Sequence, residues 1–344
     1  MMSTGTATDT PLRADEPETS VPPLLAIEGL RIGFPSLEGI VLAANDVNLT
    51  VGQGEVLGLV GESGSGKSVT CRAIVGMVPH PGAVLGGRID YDGRNVLEFN
   101  RAEMRQLRAR RIAMIFQDPA SALNPVFTIG HQISEVLRLS TGLGRGAARA
   151  RSVELLERVG IPAPDRRMSA YPHEMSGGMR QRVMIAMALA GEPRLLLADE
   201  PTTALDVTIQ DQVLRLLEDL RRERNMSMIL VSHDMGVIGT AADRVAVMYA
   251  GRIVEVAPTD VLFSRPDHPY TRALIDAMPQ LLGADRSDLR TIPGQPPDLL
   301  KLPEGCPFAP RCPLARDECA EVSMELTAVS PTQLSACPFA RDGV

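Results

Sequence analysis

The chain has 344 residues, 22% of them charged and 44% apolar, with a formal charge of −7. That length can bury a large core and suits either one large domain with an appendage or two domains. The mild acidity argues against a body built to bind nucleic acid, and no apolar run reaches the ~18 to 20 residues needed to span a bilayer.

The first stretch, residues 1–23, lacks a basic start and an apolar h-region, so it does not read as a signal peptide. Its small, polar, Pro and acidic residues predict a disordered tail. The chain is accordingly placed in the cytoplasm, where thiols stay reduced and disulfides are not expected.

Structure is predicted from Leu24. Short β-like runs, "LLAIEGLRIGF", "IVLAAND" and "VNLTV", precede "GEVLGLVG", an apolar run of the kind that forms a buried parallel strand. This strand leads into "GLVGESGSGKSVTC". Gly61, Ser63, Gly64, Ser65, Gly66, Lys67, Ser68 and Val69 form a candidate phosphate loop, in which backbone N–H groups and a helix N-terminus surround phosphate oxygens. Lys67 would reach the β- and γ-phosphates and Ser68 would ligate Mg²⁺. A plain Gly-rich turn is the bland alternative.

Next come a strand at "RIAMIFQ", helical periods over 127–138, 146–159 and 178–190, and a strand at "RLLLAD". Asp199 and Glu200 stand at the tip of that strand, suited to holding the metal and to orienting and deprotonating an attacking water, respectively. A helix is predicted over 207–224, then strands at "MSMILVS" and "RVAVMYA". The alternation implies a mostly parallel sheet covered by helices. The basic helical run at 101–111 reads as a solvated face, with a membrane-proximal contact as the alternative. Cys71 reads as a small buried residue.

Residues 257–344 hold 13 of the 27 prolines, which leaves few continuous helices or central strands there. Cys306, Cys312, Cys319 and Cys337 lie in this stretch, separated by five, six and seventeen residues. Structural zinc usually shows closer cysteine pairs, which favours an iron–sulfur cluster over zinc; reduced, unliganded thiols are the third possibility.

"MSGGMRQR" carries the resemblance. Ser176, Gly177 and Gly178, which alone could be a linker or a C-cap, resemble with the motifs above the signature of ABC-type ATPases. The resemblance implies an ABC ATPase domain over 24–256: a mostly parallel core, an antiparallel β subdomain and a helical subdomain at about 118–177. A C-terminal extension would cover 257–344. It further implies that Ser176, Gly177 and Gly178 face ATP bound by a second subunit, that Gln117 touches Mg²⁺, that His233 contacts the γ-phosphate and that Asp206 lies at the dimer seam. Phe34 occupies the place of the aromatic that stacks on adenine, although it could equally be a core residue.

"ALNPVFTIG", "YPHEMSGGMRQR", "HPYTRAL" and "IPGQPPDL" resemble one branch, the ATP-binding subunits of dipeptide and oligopeptide importers. That likeness spans roughly residues 24–340. It implies two transmembrane permease subunits, a second and paralogous ATP-binding subunit, an extracytoplasmic binding protein as an indirect partner, and a peripheral place on the cytoplasmic face of the inner membrane. It also implies a [4Fe–4S] cluster on the four cysteines. Nickel chelates or glutathione-like compounds are alternative cargo, and a soluble DNA-repair or translation ATPase is the alternative from another class.

Overall fold

The computed structural model describes residues 22–202, 207–278 and 291–340; most of the predicted N-terminal tail, and Asp206, lie outside the described residues. In chain order the strands are β1 (Leu25–Ser36), β2 (Gly39–Val51), β3 (Val56–Val60), β4 (Ala83–Tyr91), β5 (Arg94–Asn95), β6 (Ile112–Ile115), β7 (Leu195–Asp199), β8 (Ser227–Val231), β9 (Arg244–Tyr249), β10 (Arg252–Pro258), β11 (Thr327–Ser330) and β12 (Gln333–Ser335). A four-stranded antiparallel sheet is ordered β2-β1-β4-β5, and an eight-stranded sheet is ordered β11-β12-β10-β9-β3-β8-β7-β6.

Strands β9, β3, β8, β7 and β6 run parallel. β3, β7 and β8 bury every residue, as strands covered on both faces must. Their side chains divide by alternation between two cores. Leu57, Leu59, Leu195 and Leu197 join Leu25, Val47 and Ile74 between the sheets. Val60, Leu196 and Ala198 join Ile133, Leu155 and Val183 beneath the helices. Each fully buried Leu or Ile contributes roughly 1.5–3 kcal/mol relative to exposure.

The helical part follows the predicted periods. Helix Ile129–Thr141 starts at a Thr128 cap, buries Ile129, Ile133 and Leu137 on one stripe, and stops at Gly142 in the left-handed region. Helix Arg145–Arg158 packs along it, with the Ser134 and Ser152 hydroxyls 2.9 Å apart. The predicted runs "IVLAAND" and "VNLTV" are a single strand, β2, with Asp46 at φ 62 and a register shift opposite β1 at that point. A short polar side chain tolerates this left-handed kink. The basic helix Arg101–Arg110 is not wholly solvated: Arg108 donates to the carbonyls of Val75 (2.7 Å) and Gly76 (3.0 Å), at the end of the phosphate-loop helix.

The C-terminal residues complete the large sheet. β10 pairs antiparallel with β9 and β12 pairs antiparallel with β10, so a boundary at 256 falls inside a strand. Buried Glu255 of β10 accepts from the N–H groups of Asp267 (2.9 Å) and His268 (2.8 Å) and from the Gln333 amide (2.8 Å). The strand order also sets the site. β3, β8, β7 and β6 are parallel neighbours, so the segments leaving their carboxyl ends, with Gly61, His233, Glu200 and Gln117, emerge along one edge.

Candidate functional site

Gly61 and Gly66 bracket the phosphate loop at φ 147 and 107; a Cβ on either would come 2.1 Å from the Met248 carbonyl or 2.2 Å from that of Ala43. Only glycine fits these positions. Ser63 and Gly64 are exposed in the loop, Ser65 is buried, and Val69 packs against the core between the sheets. Helix Lys67–Ile74 begins with no side-chain cap, which leaves its leading N–H groups available to an anion. The Lys67 ammonium is buried and donates to the carbonyls of Gly61 (2.8 Å) and Glu62 (2.9 Å) and to Ser65 Oγ (3.2 Å). Burial draws its pKa down, and Glu200 and Asp199 push it back.

Ser68 Oγ donates to Asp199 Oδ1 at 2.7 Å. Asp199 is fully buried at the end of β7, and burial raises its carboxyl pKa. Its Oδ2 is buried with no hydrogen-bond partner. An orphaned carboxylate oxygen beside a serine hydroxyl is a hard-oxygen donor pair, and it fits Mg²⁺.

Glu200 sits in the left-handed region at φ 48, with its N–H held by the Val231 carbonyl at 3.1 Å. Gln117 Nε2 donates to Glu200 Oε2 at 2.8 Å, and His233 Nδ1 lies 3.4 Å from Oε1. The carboxylate is therefore fixed from both sides. The His233 side chain is 62% exposed against 14% for Glu200, so the histidine forms the open side of the site.

Ser176 caps helix Gly177–Leu189, its hydroxyl accepting from Met179 N–H at 3.3 Å. It and Gly177 are exposed, while Gly178 approaches the Ile209 side chain. Phe34 is half-buried in β1, its ring against Gly82. Gln181 lies inside "MSGGMRQR" but has no role assigned from the sequence. From the buried face of the signature helix it donates to the Pro201 carbonyl at 2.5 Å and ties that helix to the loop carrying Glu200. Tyr270, within "HPYTRAL", has no role assigned from the sequence either, and its hydroxyl accepts from the Glu62 N–H at 2.8 Å.

Cys306, Cys312, Cys319 and Cys337 line one pocket, with His268, Phe308 and Phe339. Burial pushes the Cys306 thiol up to about 11 and raises Cys312 and Cys337, which favours protonated thiols over thiolates. Among the described residues no three His, Cys, Asp or Glu side chains stand together as a metal-holding group. The structure thus brings the four cysteines to one place but does not support the expected [4Fe–4S] cluster, because the thiols are not gathered as ligands. Cys71 is buried, as expected, and burial raises its pKa.

A buried lysine in a glycine-bracketed loop, a hydrogen-bonded Ser–Asp pair and a clamped glutamate, all at the carboxyl edge of a parallel sheet, define a P-loop ATPase, and its likeness to known proteins places it in the ABC transporter class. Residues 44–203 match the ABC transporter family, and residues 254–319 match the oligopeptide/dipeptide transporter C-terminal region. The oligopeptide transport ATP-binding protein OppD of Haemophilus influenzae is 49% identical over 315 residues, covering 92% of this chain and 97% of that one. OppD of Salmonella typhimurium is 49% identical over 91% of this chain and 93% of its own length. Among solved structures, the dimeric ATP-binding cassette MJ0796 bound to ADP and Pi aligns with a TM-score of 0.62 at 26% identity, over 68% of this chain and 98% of its own. The chain belongs to the family of ATP-binding proteins of oligopeptide ABC transporters. It is an ATPase.

Proposed function

We propose that the chain energises an importer of oligopeptides or dipeptides, working from the cytoplasmic face of the membrane with two transmembrane permease subunits and a second, paralogous ATP-binding subunit. An extracytoplasmic binding protein would deliver the cargo. The relatives' peptide-transport names and the match to the transporter C-terminal region support this over a soluble repair or translation ATPase. Among the described residues no helix is long and apolar enough to cross a membrane, so permease subunits would supply the passage.

The observation that carries the catalytic reading is the Glu200 carboxylate held between Gln117 and His233, beside the Ser68–Asp199 pair. On binding ATP, Lys67 would exchange the Gly61 and Glu62 carbonyls for β- and γ-phosphate oxygens. Ser68 and Asp199 would hold Mg²⁺, with Gln117 beside them; the ion neutralises charge on the phosphates. Glu200 would orient the attacking water and take its proton, and His233 would contact the γ-phosphate. Ser176, Gly177 and Gly178 would complete the phosphate cradle of the other subunit, in a dimer of the kind the MJ0796 cassette forms. Asp206 would lie at the seam and Phe34 against adenine. Closure on ATP and reopening after hydrolysis would then switch the permease between its two faces.

Glu200→Gln is expected to keep ATP binding and to lower hydrolysis by a factor on the order of 10²–10⁴, measured by phosphate release in the reconstituted transporter. Unchanged turnover would remove Glu200 as the base. The four-cysteine cavity is the place where a cluster would form if loading drew the thiols together; iron and sulfide assay after anaerobic purification decides that, and absence of both ends the idea.

A further inference from the structure

The phosphate loop is gripped from the C-terminal extension, and the grip is on its acidic residue. Arg311 ends the short turn Ala309–Arg311, directly before Cys312, and its side chain is only 6% exposed. Its guanidinium forks onto Glu62: Nη1 donates to Oε2 at 2.6 Å and Nη2 to Oε1 at 3.0 Å. Nε donates to the Pro293 carbonyl at 2.7 Å, and Nη1 also reaches the Tyr249 hydroxyl at 3.3 Å. Tyr249, Tyr270 and Phe308, all buried, pack ring against ring with centroids 4.5–5.3 Å apart, and the guanidinium lies over two of these rings at 5.9 and 6.0 Å. The arginine thus has little rotational freedom.

Glu62 is equally committed. Its N–H goes to Tyr270, its carbonyl to the Lys67 ammonium and its carboxylate to Arg311. Two of these three partners come from the extension and the third is the lysine that must reach the phosphates. A carboxylate next to Gly61 would repel a triphosphate seated in the loop, and a buried bidentate guanidinium cancels that charge.

We propose that Arg311 is a positioning residue of the ATP site: fixed by the extension, it neutralises Glu62 and keeps that carboxylate turned toward the extension, so triphosphate affinity depends on the C-terminal region. A staple that merely fastened a proline-rich segment would not depend on the sign of the charge at residue 62.

The test is equilibrium ATP binding by the full-length chain, with steady-state hydrolysis in the assembled transporter. Arg311→Gln should weaken ATP binding about tenfold, because one uncompensated charge then faces the phosphates, and should raise KM more than it lowers kcat. Adding Glu62→Gln to Arg311→Gln should restore most of the affinity, and Arg311→Lys should restore part of it. A double variant as weak as Arg311→Gln would overturn the proposal. If Arg311→Gln does not fold, Glu62→Gln alone decides: affinity at or above wild type supports the proposal, and a loss refutes it.

Discussion

Glu200 and His268 illustrate how far single residues announce themselves. Glu200 was readable because a second carboxylate at the tip of a buried strand has a chemical use, and Lys67 and Ser68 because their spacing from Gly61 is local. Arg311 was not readable: 249 positions separate it from Glu62, and neither neighbourhood hints at the other. His268 was passed over as part of a motif. It is fully buried, caps helix Pro269–Asp276 by accepting from Tyr270 N–H at 3.1 Å, and burial lowers its pKa from 6.5 to about 3. As pH falls through 6.5 the unfolded histidine takes a proton that the folded one refuses, so stability falls with pH across this window, by about 1.4 kcal/mol per unit well inside it. Nearby Glu255, its pKa raised by burial, has the opposite slope, losing stability as pH rises. His268→Asn preserves a capping oxygen and leaves Glu255 in place. Urea denaturation at stepped pH should give a flatter acid limb for His268→Asn than for the parent chain.

At the scale of elements, the parallel strands and the longer helices were legible because their periods are strong, whereas the short helices Met235–Ala241, Thr259–Ser264 and Pro269–Asp276 were not. β4, "AVLGGRIDY", was not, since paired glycines interrupt its alternation and its partner β1 is distant in sequence. β12 escaped for another reason: its three residues acquire meaning only against β10. Within it Gln333 is buried and donates to Glu255 Oε1 at 2.8 Å and to the Arg265 carbonyl at 3.0 Å. Gln333→Leu would fill similar space while stripping a donor from a buried carboxylate. The expected loss is about 1–3 kcal/mol in urea denaturation, with the KM for ATP unchanged. Equal stability of the two chains would mean that the Asp267 and His268 amides suffice for Glu255.

On the proposed reading, the whole molecule would hold half of what its chemistry needs. Its phosphate loop, Ser68–Asp199 pair and clamped Glu200 are assembled, whereas Ser176 and Gly177 stand exposed on their own helix. Only the family resemblance suggests this division, because a capped helix N-terminus looks alike whether it serves its own chain or a neighbour. Ser176→Arg should therefore leave ATP affinity of the isolated chain as it was and depress hydrolysis in the assembled transporter by roughly 10²-fold or more. Parallel binding and phosphate-release assays check both halves, and a fall in the isolated chain's affinity would place the serine in its own site.

The late strand has a consequence for biosynthesis. Glu255 of β10 leaves the ribosome 78 residues ahead of Gln333 in β12, so throughout that interval the growing polypeptide carries a bare hydrogen-bonding edge and a carboxylate awaiting its cover. Exposed edges of this kind pair with other chains. Nascent molecules stalled between these two points should be the form that chaperones bind and that clumps when they are scarce.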